Sequence, residues 1–244
     1  MLNIYTVDSL NNSFYGNWPL AIGLWLVKFQ LNILKPKAKG QEPTAIFVPM
    51  IEQLKSWDEQ LFLFFNQFHT PAWDSAMLLI TRTEFWTPLF LVLIYLIFKQ
   101  HKNRGWIILL AVVVTILLTD QITSTLMKPF FQRLRPSHEP ALQGIVHLSA
   151  DANGNLYYGG LFGFASSHAA TTTGVACFIF LLFRRTYRWM GLIFLWAAIM
   201  SYSRIYLGVH YPGDILVGAI IGVVCGWVGF KFYEWLDRKI KMDS

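Results

Sequence analysis

A lysine, two arginines, two histidines and an aspartate stand at spacings suited to handling a phosphate group. In chain order they are Lys128 and Arg135, then His168 behind Ser166 and Ser167, then Arg204, His210 and Asp214. Phosphoryl transfer asks a protein mainly to position the transferred group and neutralise its charge. Arg135 and Arg204 offer planar forks that match phosphate oxygens, and Lys128 offers a point charge. Ser166 and Ser167 precede an expected helix start, where amide N–H groups and the positive end of the helix dipole favour an anion. His210 and Asp214 flank Tyr211-Pro212-Gly213, a turn sequence with a proline near the first turn of the next helix. A carboxylate bonded to one imidazole nitrogen fixes the tautomer and leaves the other nitrogen to attack phosphorus. His210 is therefore the expected nucleophile, Asp214 its orienter, and His168 the acid to the leaving group and then the base for the hydrolytic water.

The elements that position these residues are membrane helices. Of 244 residues, 55% are hydrophobic and 14% charged, with a mean hydropathy of +0.42, too apolar for an ordinary soluble domain. Apolar runs recur without a linker or repeat, which predicts an all-α bundle of about six transmembrane helices. The candidate spans are Leu61–Ile80 broken at Pro71, Phe85–Phe98, Trp106–Met127, His168–Phe183, Trp189–Tyr202 and Ile215–Phe232. Residues 1–56 read as an N-terminal cytoplasmic or interfacial segment, with an amphipathic helix expected over Trp18–Leu34, and residues 57–244 as the transmembrane domain.

Basic clusters set the orientation. Lys99, Lys102 and Arg104 share one short connection, Arg184, Arg185 and Arg188 another, and both termini add lysines, so these all belong on the cytoplasmic side. The opposite face should be poor in cations, yet it holds Lys128, Arg133, Arg135 and Arg204, which points to an anionic ligand. The formal charge of +6 is thus a matter of topology, and no nucleic-acid partner is expected. Cys177 and Cys225 lie inside apolar runs and read as small core residues. Asp120, inside the third span, either supports the pocket or bonds a nearby threonine. The 137–164 loop is expected to cap the site and select what enters it, and its Asp151–Asn155 stretch reads as a polar surface turn.

On these residues the sequence resembles the type 2 phosphatidic acid phosphatase superfamily. That family's motifs are Lys, six residues, Arg-Pro; Pro-Ser-Gly-His; and Ser-Arg, five residues, His, three residues, Asp. The first and third match completely at Lys128 to Pro136 and Ser203 to Asp214. The second departs at Ala165 and Ser167 and keeps Ser166 and His168. The resemblance implies a membrane helical bundle with a core like that of the vanadium haloperoxidases. It implies a phosphate site made of Lys128, Arg135, Ser166, Ser167 and Arg204, with His210, His168 and Asp214 catalytic. Neither metal nor cofactor is implied, and vanadate should inhibit. In style it is similar to bacterial enzymes acting on undecaprenyl pyrophosphate or lipid A, which places it in an inner membrane with the site on the periplasmic face. The expectation is a lipid phosphatase whose partners are the bilayer and a lipid phosphate. The alternative is a catalytically inactive lipid-phosphate-binding or transport protein, suggested by the altered middle motif.

Overall fold

A computed structural model describes residues 44–151 and 153–242. The helix expected over Trp18–Leu34 lies outside the described residues, as does most of the 1–56 segment. Among the described residues every extended regular element is a helix. The order is α1 (Thr44–Asn66), α2 (Pro71–Ile80), α3 (Thr87–His101), α4 (Gly105–Asp120), α5 (Lys128–Phe131), α6 (Ser167–Phe183), α7 (Ile193–Tyr206) and α8 (Pro212–Met242). A π-helical segment, Gln121–Met127, joins α4 to α5.

The sequence sets several of these boundaries locally. The first expected span is divided, because α1 stops at Asn66 and Thr70 caps a new helix, accepting from the Trp73 amide with Pro71 at its first turn. Lys102, at φ 48° and ψ −128°, interrupts the chain between α3 and α4. Among the described residues two stretches are long and apolar enough to cross a membrane, Thr83–Phe131 and Pro212–Met242, while α6 is apolar but shorter. The outward faces of α3, α4 and α8 are hydrophobic, with Leu91, Leu110, Leu117, Leu216 and Ile220 all exposed. This is the arrangement expected where lipid, not water, is the surrounding solvent.

Helix α6 runs through the centre, buried on nearly every side from Ala169 to Phe183 and packed by α8, α7 and α4. Its closest neighbour is α8, and the two run parallel. A Cβ added at Gly218 would lie 2.5 Å from the Ser166 carbonyl oxygen; at Gly222 it would strike the Ala170 carbonyl, and at Gly226 that of Gly174. Three glycines at four-residue intervals thus meet three carbonyls at four-residue intervals, backbone against backbone, as small residues permit in membrane helices. The buried thiols obey the same packing, with Cys177 Sγ of α6 contacting the Val223 carbonyl of α8 at 3.5 Å.

The basic connections gather at the far end of this pair. Arg104 pairs with Asp237, and a cavity there is lined by Arg184, Arg185, Lys231 and Arg238. The N-termini of α6 and α8 therefore share the other end, next to the site. Placing a valine at Gly222 should cost about 3 kcal/mol by overpacking. Thermal unfolding of the detergent-solubilised protein should show that loss, whereas Val223→Ala on the outward face of α8 should leave the midpoint nearly unchanged.

Candidate active site

Asp214 is fully buried, and both of its carboxylate oxygens have partners. It lies in the first turn of α8, where a carboxylate suits the helix dipole, and its Oδ2 accepts from the Tyr211 amide at 3.1 Å. The same oxygen stands 3.3 Å from His210 Nδ1. With the Nδ1 proton directed to Asp214, the lone pair of His210 lies on Nε2. Oδ1 accepts from Arg133 Nη1 at 2.9 Å, and the Asp214 carbonyl accepts from the Ser166 amide at 3.0 Å. Arg133 is fixed in turn by Asp58 at 2.8 Å and lies over the Tyr211 ring at 4.0 Å. Asp58 also accepts from the Gly213 amide at 2.7 Å, so α1 grips the start of α8 directly.

The other two arginines behave differently from Arg133. Arg135 and Arg204 are only 7% and 2% exposed, and neither makes an ion pair among the described residues. Arg135 gives its Nε proton to the Phe162 carbonyl at 3.1 Å, and its buried Nη1 has no acceptor. Arg204 Nη1 donates to Thr81 Oγ1 at 2.7 Å and to the Tyr157 hydroxyl at 3.0 Å, and its buried Nε has no acceptor. Burying a guanidinium without a counter-charge costs several kcal/mol, and these two share a neighbourhood. Burial, then the charge of Arg204, draws the Arg135 pKa down to about 10. Donors left unspent at such a cost await an anion.

Helix α7 ends at Tyr206, and the chain turns through Gly208 in the left-handed region at φ 73°. The turn brings His210 back beside Arg204, burying it to 1% exposure. Burial first, then the positive field of Arg135, Arg204, Lys128 and Arg133, holds the His210 pKa well below that of a free histidine. The imidazole is therefore neutral at pH 7, the state a nucleophile needs.

Lys128 approaches from the π-helical segment. Its Nζ donates to Ser167 Oγ at 2.7 Å and to Ser124 Oγ at 3.3 Å. Ser167 Oγ also lies 2.8 Å from Ser124 Oγ and 3.0 Å from Thr123 Oγ1, and Ser124 donates to Asp120 Oδ1 at 2.8 Å. Ser167 sits inside the first turn of α6 with no positive φ, so a side chain there carries no backbone strain, and its hydroxyl anchors the lysine. Ser166 caps α6, accepting from the Ala169 amide at 3.4 Å. His168 makes no side-chain hydrogen bond among the described residues and lines the top of an apolar cavity of about 500 Å³ that descends between α3, α4, α6 and α7.

The eight residues singled out from sequence thus gather where α6 and α8 begin. Four others that hold them gave no local signal: Asp58, Thr81, Ser124 and Tyr157. Thr81 lies 123 positions from the arginine it supports. The 137–164 loop is tied down as well. His147 is 2.8 Å from Asp74 and stacks on His69, and Asn66 accepts from the His147 amide at 2.8 Å. The Asp151–Asn155 stretch closes on itself, with Asp151 Oδ1 accepting from the amides of Asn153 and Asn155.

Two outcomes follow from the charge balance. Orthovanadate at a hundred times its dissociation constant should stabilise the folded protein by about 2.7 kcal/mol. That shift, read in thermal unfolding, should vanish in Arg204→Ala and not be restored by lysine, which lacks the fork. Because the folded-state pKa of His210 is depressed, the unfolded chain binds the extra proton first, so stability falls as pH drops below about 6.5. Between pH 6.5 and 5.5 this one group should cost about 1 kcal/mol. His210→Gln should remove that part of the loss in unfolding measured across the same window.

The PAP2 superfamily profile matches residues 105–238, more than half of the chain. Over 198 residues the chain is 41% identical to the lipid A 4'-phosphatase of Bacteroides thetaiotaomicron, covering 80% of this chain and 85% of that protein. It is 33% identical over 187 residues to the lipid A 4'-phosphatase of Porphyromonas gingivalis, covering 75% of each. The crystal structure of Aquifex aeolicus LpxE aligns with a TM-score of 0.52 at 28% identity, over 70% of this chain and 93% of that one. The chain belongs to the PAP2 superfamily and is a phosphatase of that type.

Proposed function

We propose that the protein is an integral-membrane lipid phosphatase that removes a phosphate from lipid A by way of a phosphohistidine on His210. The observation that carries this reading is the pair of buried guanidiniums, Arg135 and Arg204, with unspent donors beside a buried imidazole. A phosphate monoester satisfies those donors and presents its phosphorus to His210. The identity to two lipid A 4'-phosphatases supports the choice of lipid. The apolar cavity at His168 supports a chain-bearing substrate.

In the mechanism Arg135, Arg204, Lys128 and the α6 N-terminus at Ser166 and Ser167 hold the phosphate oxygens. His210 Nε2 attacks phosphorus in line with the ester oxygen. The P–N bond forms as the P–O bond breaks, and His168 gives its proton to the departing alkoxide. Asp214 balances the positive charge that develops on the imidazole, and Arg133 and Asp58 keep Asp214 in place. Neutral His168 then takes a proton from water, whose oxygen attacks phosphorus, releases inorganic phosphate and returns His210 to its resting form. The cations stabilise the spread charge of both transition states. On this reading the chain makes six spans with both termini inside and carries the site on the outer face of a bacterial inner membrane; the basic clusters at the opposite end of the bundle support that orientation.

Purified protein in detergent with a chelator should release phosphate from lipid A, and His210→Ala should reduce the rate roughly a thousand-fold or more. An acid-labile, base-stable phosphoryl label should appear on wild type and not on the variant. Turnover that survived in His210→Ala would overturn the mechanism.

A further inference from the structure

The cavity below His168 is lined by Leu93, Ile97, Leu109, Val175 and other apolar side chains, and among its lining residues one bears a carboxylate, Asp120. A charged group inside a membrane-spanning stretch is costly and calls for a role. Asp120 forms no ion pair among the described residues. Its Oδ1 accepts from Ser124, no hydrogen bond reaches its Oδ2, and the side chain is exposed to the cavity. The carboxylate is thus half-satisfied and open to whatever fills that space.

Its position limits what it can meet. Ser124, which donates to Asp120, is also 3.3 Å from Lys128 Nζ and 2.8 Å from Ser167 Oγ, next to His168. Two hydrogen bonds therefore separate Asp120 from a cation of the phosphate site, and the substrate atoms that reach it are those within a few bonds of the ester oxygen. With Lys128, Arg135 and Arg204 close by, the surroundings are already cationic, so an ammonium group is disfavoured there. A neutral O–H or N–H donor meets the carboxylate without that repulsion.

We propose that Asp120 is a specificity residue that accepts a hydrogen bond from a hydroxyl or amide N–H borne by the alcohol half of the substrate near its phosphate ester. This rests on the phosphatase reading above and refines it. Lipids with a sugar phosphate, or with a free hydroxyl on a phosphorylated glycerol head, satisfy the carboxylate. Those whose ester leads only to acylated or hydrocarbon carbons leave it desolvated and unpaired. Sites built to bond a substrate hydroxyl reject analogues that lack one because the protein's own polar group is then stranded.

Phosphatidylglycerol phosphate and phosphatidic acid make a suitable pair, since both are phosphomonoesters on diacyl lipids and only the first carries a hydroxyl beside the phosphorylated carbon. Wild type should prefer the first in kcat/KM by about ten-fold or more. Asp120→Leu should reduce that ratio about ten-fold, chiefly by slowing the hydroxyl-bearing substrate. Thr123→Val, which loosens Ser167 and through it Lys128 while leaving the Ser124 bond to the Asp120 carboxylate in place, should lower both substrates in parallel and keep the ratio. The wild-type enzyme, with no mutation to fold, should lose the same factor on an analogue whose head glycerol lacks its central hydroxyl. Equal losses on both lipids in Asp120→Leu, or an unchanged rate on that analogue, would overturn the assignment while leaving the phosphatase reading intact. Failure of the folded wild type to release phosphate from any lipid would overturn both.

Discussion

The site exists because two parallel helices touch backbone to backbone. Gly218, Gly222 and Gly226 bring α8 against the carbonyls of Ser166, Ala170 and Gly174, which leaves little freedom to slide one helix along the other. That register puts the Ser166 amide 3.0 Å from the Asp214 carbonyl. It also aims two helix N-termini at one small volume, so the partial positive charge of both faces the place where the cations converge. Arg133 and Arg135 arrive from the segment after α5 and Arg204 from the end of α7, and in this register Arg133 reaches the Asp214 carboxylate at 2.9 Å.

A concentration of positive charge in a buried place is unfavourable for folding, and the structure divides the burden unevenly. Arg133 is neutralised by Asp58 and Asp214 and belongs to the scaffold. Arg135 and Arg204 are held by neutral acceptors alone, which fix their direction without cancelling their charge. Neutral oxygens from Phe162, Thr81 and Tyr157 orient the forks, and the attraction for an anion stays undiminished. Stability of the empty protein is given up where affinity is needed, a common pattern in binding sites.

Much of this was legible in the chain. The charged and titrating residues stand in short motifs, and the turn chemistry around Pro212 and Gly213 announces the start of a helix close to Asp214. The helical, apolar character follows from composition. What sequence could not convey were contacts made across long separations. Asp58 reaches the Gly213 amide over 155 positions, and nothing in the local pattern around Asp58 distinguishes it from Glu59. The role of Ser167 was hidden for another reason: its hydroxyl matters through Thr123 and Ser124, which face it only because a π-helical turn rotates that part of the helix. The division of Leu61–Ile80 was readable from Pro71, but the anchoring of the resulting corner by Asn66 and His147 was not.

Parallel neighbours cannot be joined by a tight turn, so the chain must cross the bundle once, as α7, before α8 can lie along α6. The helix that completes the phosphate cage, α8, is therefore made after the helix on which it packs. Lys128, Arg135 and His168 are synthesised well before their partners, and until α8 seats itself His210 has neither its carboxylate nor its enclosure. Completion of the cage is thus tied to the docking of a single helix pair.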